Sequence, residues 1–279
     1  MRRIDTKRVR AEISRLCTTA NLKLRPDILS AIKNAYRLEK GRAKNLLGVL
    51  IENSRIAAKE RLAICQDTGM VEIFLEVGQE VNFVGVGLKE SITAGVRDAY
   101  AKGRFRKSIV SDPIIRKNTG TNTPPIIYTE IVPRDKVKVS TFIKGFGSEN
   151  KSQLKMFRPT ATIDEIREFI LKVAEEAGPE ACPPLVLGVG MGGTFAKAAL
   201  LAKKALLRPI DKRNKSSHIA RLEKRLLKDI NKLGIGPAGL GGKTTALGVN
   251  IETFPTHIAG LPVAVNISCH ATRSAASIL

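Results

Sequence analysis

A chain of 279 residues, 43% of them hydrophobic, is long enough to bury a sizeable core and fits one large or two modest domains, so a globular protein is expected. Its formal net charge of +21 invites a nucleic-acid reading, but aromatic residues make up only 4% and there is no Trp, so base-stacking surface is scarce. No apolar run approaches a membrane span, the N-terminus lacks a signal-peptide core, and four widely spaced cysteines argue against a disulfide framework, so a cytoplasmic protein with reduced thiols is expected.

The first sixty residues read as three helices, 5–19, 26–40 and 43–62, with Pro26 suited to a first turn. Cys17 lies among apolar neighbours in the first and reads as a small buried hydrophobe, not a ligand. At Ile64-Cys65-Gln66-Asp67-Thr68-Gly69 the helical pattern stops and a strand, 71–77, begins. A thiol, a carboxylate and a hydroxyl within one turn mark a place where a scaffold exposes chemistry. A helix over 88–102, closed by Gly103, leads into Arg104-Phe105-Arg106-Lys107-Ser108. Residues 112–125 are dense in turn formers and predict a long ordered loop of the functional kind. Patterns at 126–132 and 136–143, joined through Pro133-Arg134-Asp135, predict a β-hairpin. Its second strand runs into Lys144-Gly145-Phe146-Gly147-Ser148-Glu149-Asn150, a turn whose backbone N–H groups suit an anion.

Thr162-Ile163-Asp164-Glu165 is a capping box opening a helix that ends near Ala177, before Gly178-Pro179. After Glu180-Ala181-Cys182-Pro183-Pro184, a strand at 185–189, a glycine turn at 188–193 and a helix at 194–207 are expected. Gly188-Val189-Gly190-Met191-Gly192-Gly193 fits the dinucleotide pattern GxGxxG, but Arg208 to Arg213 is too short and polar for the second parallel strand, so that site is rejected. A basic helix at 218–233 presents a solvated face. Pro237-Ala238-Gly239-Leu240-Gly241-Gly242-Lys243-Thr244 misses the Walker A pattern at its first position and leaves a glycine-rich turn for a smaller anion. Strands at 245–252 and 262–267 flank Thr256-His257-Ile258, and the second leads into Ser268-Cys269-His270-Ala271-Thr272-Arg273. The fold class expected is α+β, a helical N-terminal region followed by mixed β-sheets flanked by helices, in one domain over 1–279 with a helical part, 1–62, and a mixed α/β part, 63–279.

Cys65, Cys182 and Cys269 each stand alone at the end of a regular element. Soft thiolates suit zinc, copper(I) or iron-sulfur clusters. Structural zinc sites usually show close CxxC or HxxxH pairs, which these cysteines lack. A cubane cluster normally takes four cysteines, and with three one iron keeps an exchangeable position for substrate. On spacing alone, three unconnected thiols remain the other reading.

Ile-Cys-Gln-Asp-Thr-Gly at 64–69, the 112–125 loop, Gly-Ser-Glu-Asn at 147–150, Ala-Cys-Pro-Pro at 181–184, Gly-Val-Gly-Met-Gly-Gly-Thr at 188–194, Pro-Thr-His-Ile at 255–258 and Asn-Ile-Ser-Cys-His-Ala at 266–271 together resemble the α subunit of class I fumarate hydratase. The related L-tartrate dehydratase α subunit shares this pattern, and the likeness is collinear over nearly the whole chain. The resemblance implies an oxygen-sensitive 4Fe-4S cluster on Cys65, Cys182 and Cys269 with one iron not ligated by protein. It implies reversible hydration of fumarate to L-malate, with tartrate as the alternative substrate, and a separate fumarate hydratase β subunit in an α2β2 assembly. Asp67 is the candidate for proton transfer at the substrate hydroxyl, a turn-capping carboxylate being the equal alternative. Arg106 is the candidate carboxylate clamp, with Arg104 its rival. The resemblance places Gln66, Gly145, Phe146 and Gly147 at the substrate and makes His257 catalytic, while His270 sits behind Cys269. These residues identify no base for the C–H proton, which the resemblance assigns to the β portion. The non-enzymatic alternative, a basic nucleic-acid-binding protein, predicts steeply salt-dependent RNA binding without iron.

Overall fold

The computed structural model describes all 279 residues. In chain order the elements are β1 (Arg2–Asp5), α1 (Thr6–Leu22), α2 (Pro26–Leu38), α3 (Gly41–Glu60), β2 (Met70–Gly78), β3 (Val81–Val84), α4 (Leu88–Lys102), β4 (Ile126–Val132) and β5 (Val137–Lys144). They continue with α5 (Phe146–Glu149), β6 (Gln153–Phe157), α6 (Ile163–Ala177), β7 (Leu185–Gly192), α7 (Phe195–Leu207), α8 (Ser217–Lys232), β8 (Ala246–Phe254), β9 (Leu261–Ser268) and β10 (Arg273–Ile278). The fold is α+β, with mixed sheets flanked by helices. The chain forms two compact units, one of Met1–Arg25, Asn53–Phe146 and Arg273–Leu279, the other of Pro26–Glu52 and Gly147–Thr272. The three N-terminal helices are shared out: α1 belongs to the first unit, α2 to the second, and α3 has residues in both.

In the first unit a four-stranded sheet has the order β10-β5-β2-β4, with β2 and β4 parallel and the other pairs antiparallel. Asp5 caps α1 by accepting from Lys7 N at 2.8 Å, and Val9, Ile13, Leu16, Cys17 and Ala20 recur at helical spacing on its buried face. That face joins Ile92, Val96, Ala99 and Tyr100 of α4 and Val71, Ile73 and Leu75 of β2 in one core. The expected hairpin of 126–132 with 136–143 does not form, because β2 lies between β4 and β5 and pairs with both. β2 is buried along nearly its whole length, as a central strand must be, whereas β4 has no fully buried residue and takes the edge. The Pro133–Lys136 connection closes over the end of β2, where Gly78 N donates to Lys136 O at 2.8 Å and Gln79 N to Val132 O at 2.8 Å.

The second unit is built on the sheet β6-β9-β7-β8, in which β7 and β8 are parallel. Leu185, Leu187, Val189 and Met191 point to one face of β7, where they pack with α6 and α8. The alternate residues face α7, and this is why glycines recur there. A Cβ on Gly188 would lie 2.1 Å from Ala202 O, and one on Gly190 would lie 2.0 Å from Ala198 O. The expected glycine turn at 188–193 is therefore largely strand, and β7 runs on to Gly192. The turn proper is Gly193-Thr194, with Thr194 capping α7. The Thr162 capping box forms as expected. Four strands escaped the pattern reading: β1, β3, β6 and β10 are short or rich in small and charged residues, and tertiary pairing defines them.

Candidate active site

The Cys65 turn belongs to the first unit and is fastened from several sides. Ile64 N donates to Asn21 O at 2.9 Å, and Asn53 Nδ2 donates to Ile64 O at 2.9 Å. The Tyr100 hydroxyl donates to Thr68 O, and burial raises that phenol well above its ordinary range, so it stays a donor. Asn122 is fully buried at φ +59°; its Nδ2 donates to Gly69 O at 3.1 Å and its Oδ1 accepts from Ser108 N at 2.7 Å. Thr68 Oγ1 donates to Arg106 O at 2.6 Å, which holds the segment after α4 against the turn. In that segment Phe105 is buried between exposed Arg104 and Arg106. A pocket of about 670 Å3 opens here, lined by Cys65, Gln66, Thr68, Arg104 and Arg106 among others, with Arg61 and Lys102 adding positive charge.

Asp67 is half-buried, and each of its oxygens accepts one backbone N–H: Oδ1 from Gly69 at 2.9 Å and Oδ2 from Phe146 at 2.7 Å. The anion met by the Gly145-Phe146 turn is thus the protein's own carboxylate. A Cβ on Gly145 would stand 3.0 Å from Asp67 Oδ2 and 3.3 Å from Arg273 Nη2, so only glycine fits there without displacing one of them. Phe146 itself projects outward, half exposed.

Cys182 and Cys269 belong to the second unit and are brought together through His270. Cys182 is exposed in a left-handed conformation, φ +54°, just past the short 3-10 turn Pro179–Ala181. Its carbonyl accepts from His270 N at 3.4 Å and from His270 Nδ1 at 3.0 Å, which places the imidazole proton on Nδ1. Thr272 Oγ1 donates to Cys269 O at 2.9 Å and holds the turn after β9. Glu149, from the Gly-Ser-Glu-Asn stretch that begins with exposed Gly147, pairs with Lys203 of α7 at 2.6 Å and accepts from Asn266 of β9 at 2.8 Å. His257 is exposed between β8 and β9, its Nδ1 accepting from Ala259 N at 3.1 Å, which leaves the proton of the neutral ring on Nε2.

No disulfide links the four cysteines, and no three His, Cys, Asp or Glu side chains stand together as ready metal ligands. Cys17 differs from the others: it is fully buried, and burial pushes its thiol up to about 12. Residues 10–277 match the family model described as fumarate hydratase (fumerase). The chain belongs to the fumarate hydratase family. Similar members include the "Putative L(+)-tartrate dehydratase subunit alpha" of Methanocaldococcus jannaschii, 42% identical over 264 residues that cover 92% of each chain. The "L(+)-tartrate dehydratase subunit alpha" proteins of Escherichia coli K12 and Shigella boydii serotype 4 are each 31% identical over 250 residues, covering 88% of this chain and 82% of theirs. No helix of this family member is long and apolar enough to cross a membrane.

Several residues that shape the site carried no motif. Tyr100 reads as an ordinary helix position and Asn21 falls just past the helix expected at 5–19, yet Tyr100 holds the Cys65 turn and Asn21 accepts from Arg273 Nη1 at 3.4 Å. Arg273, four residues after Cys269, is fully buried. Only the density of Asn, Thr and Gly in the 112–125 loop hinted at Asn122. The glycine-rich turn before Lys243 holds an anion, and that anion is internal: buried Glu39 accepts from Lys243 N at 2.8 Å.

Proposed function

We propose that this chain is the α subunit of an iron-sulfur hydro-lyase that reversibly adds water to fumarate, giving L-malate, and that a β subunit completes its site. The observation that carries the reading is the pocket of the first unit, where the thiol of Cys65 and the guanidinium-bearing residues 104 and 106 line one cavity in a member of the fumarate hydratase family. Cys65, Cys182 and Cys269 would hold a 4Fe-4S cluster. Their donor chemistry fits it: three thiols at element ends, none buried as Cys17 is. When bound, the cluster supplies a Lewis-acidic iron with one position open to the substrate's oxygens.

The chain's own residues account for recognition and for one proton. Arg106 offers a planar fork to a substrate carboxylate and Arg104 lines the same pocket, so the cavity presents two guanidinium groups to a dianion. Gln66, exposed in that pocket, adds an amide to orient the substrate. Asp67 keeps a lone pair on each oxygen beyond the two bonds that fix it, and takes or returns the proton of the substrate hydroxyl. Gly145, Phe146 and Gly147 form the substrate-side turn that Asp67 anchors. His257, whose Nδ1 accepts from Ala259 N, has its Nε2 proton to donate in a hydrogen bond to the substrate.

The names of the relatives support a second substrate, L(+)-tartrate, which shares with L-malate the 2-hydroxy dicarboxylate group. Anaerobic turnover of L-malate, fumarate and L(+)-tartrate by the complex with the β subunit decides between them. Activity is expected to fall in air and to return on anaerobic treatment with iron, sulfide and reductant. Full activity after prolonged aeration, with no loss of iron, would contradict the cluster assignment.

A further inference from the structure

The loop between α4 and β4 carries two adjacent isoleucines at its tip, Ile114 and Ile115, which are 88% and 80% exposed. Scattered exposed apolar residues are ordinary on a protein surface. These two differ because the loop beneath them is fixed. Asp112 Oδ1 accepts from Ile114 N at 2.8 Å and from Ile115 N at 2.7 Å, and Arg116 N donates to Asp112 O at 2.9 Å. Lower down, Ser111 N donates to Lys117 O at 2.8 Å, Thr119 N to Ile109 O at 2.9 Å and Asn118 Nδ2 to Lys107 O at 2.9 Å. The tip is a preorganised apolar knob, and a group ordered beforehand loses little freedom on binding.

Two more observations say what the knob fits. Exposed Arg116 and Lys117 flank it, so a complementary recess has an apolar floor and carboxylates on its rim. The loop is also continuous with the Cys65 turn: Asn122, near its end, bonds both Ser108 N and Gly69 O. A partner seated on the tip therefore grips the same rigid piece of the first unit that carries Cys65 and Asp67.

We infer that Pro113-Ile114-Ile115 is a docking knob for the β subunit, received in an acid-rimmed apolar recess of that chain. The inference rests on the two-subunit reading above. The test co-expresses the full chain with the β subunit of the same enzyme and compares wild type with the Ile114→Ser/Ile115→Ser double variant, measuring the dissociation constant by surface plasmon resonance. The knob predicts affinity about 100-fold weaker, as for loss of a buried apolar anchor, with the melting temperature of the chain alone and its cysteine-held iron unchanged. A second variant, Arg116→Glu/Lys117→Glu, should slow association and flatten its dependence on salt. Wild-type complex with an unaffected double variant overturns the knob while leaving the two-subunit reading standing. A wild-type chain that binds no β subunit overturns both. Loss of self-association in the double variant, with β binding intact, gives the tip to a second copy and also overturns the inference.

Discussion

Asp67 spends one acceptor interaction on each of two backbone N–H groups, so its carboxylate is oriented before any substrate arrives. Asp67→Asn keeps the shape but replaces one acceptor with an amide donor facing an N–H group. We expect stability to fall by about 1–3 kcal/mol and kcat by about 100-fold or more, measured with cluster content held equal. Unchanged kcat would reduce Asp67 to a turn cap. Gly145→Ala would press a methyl group against Asp67 Oδ2 and Arg273 Nη2, and should lower kcat/KM without loss of iron. Among the thiols, serine at Cys65, Cys182 or Cys269 should abolish the cluster, whereas Cys17→Ser should keep it, as iron and sulfide analysis would reveal. The Cys17 thiol is raised from 9.0 to about 12 by burial, so its contribution to stability is complete below pH 9.0 and is lost as pH rises toward 12. Alkaline denaturation should therefore be less steep in Cys17→Ala, and alkylation at pH 8 should spare Cys17 in the folded protein. Its burial was legible from its apolar helical neighbours. The duties of Tyr100, Asn122 and Arg273 were not, because each acts through a backbone group far away in sequence.

At the scale of elements, local signals succeeded where the local chain decides the outcome. Pro26, the Thr162 capping box and the stop at Gly103 all act within one or two turns, and the helices they bound are present. The pairing of β4 and β5 failed because adjacency in sequence says nothing about β2, whose apolar run, interrupted only by Glu72 and Glu76, was the sign of a buried central strand. Gly188 and Gly190 were legible as special but not as packing residues, since their reason lies in the carbonyls of α7. Gly190→Ala should accordingly destabilise by about 1–3 kcal/mol or more through overpacking, read from urea melts. Glu39→Ala would leave Lys243 N without its acceptor and should cost about 1–3 kcal/mol with kcat unaffected. A kcat loss there would connect the glycine-rich turn to catalysis.

For the molecule as a whole, the +21 charge has two competing uses. A nucleic-acid binder would employ it on phosphates, with steep salt dependence and no iron. A hydro-lyase subunit would employ it to draw in a dianion and an acidic partner. The pocket with Arg61, Lys102, Arg104 and Arg106 concentrates part of that charge beside Cys65, where the proposed dicarboxylate would need it. No residue of this chain has been assigned to the C–H proton, so the two-subunit account predicts that the cluster-loaded chain turns over negligibly by itself. The most direct measurement is anaerobic steady-state turnover of L-malate and L(+)-tartrate by the reconstituted chain, alone and with its β subunit. The account predicts dehydration of at least one of them by the complex and almost none by the chain alone. Equal turnover by the chain alone, or none by an iron-loaded complex, would contradict it.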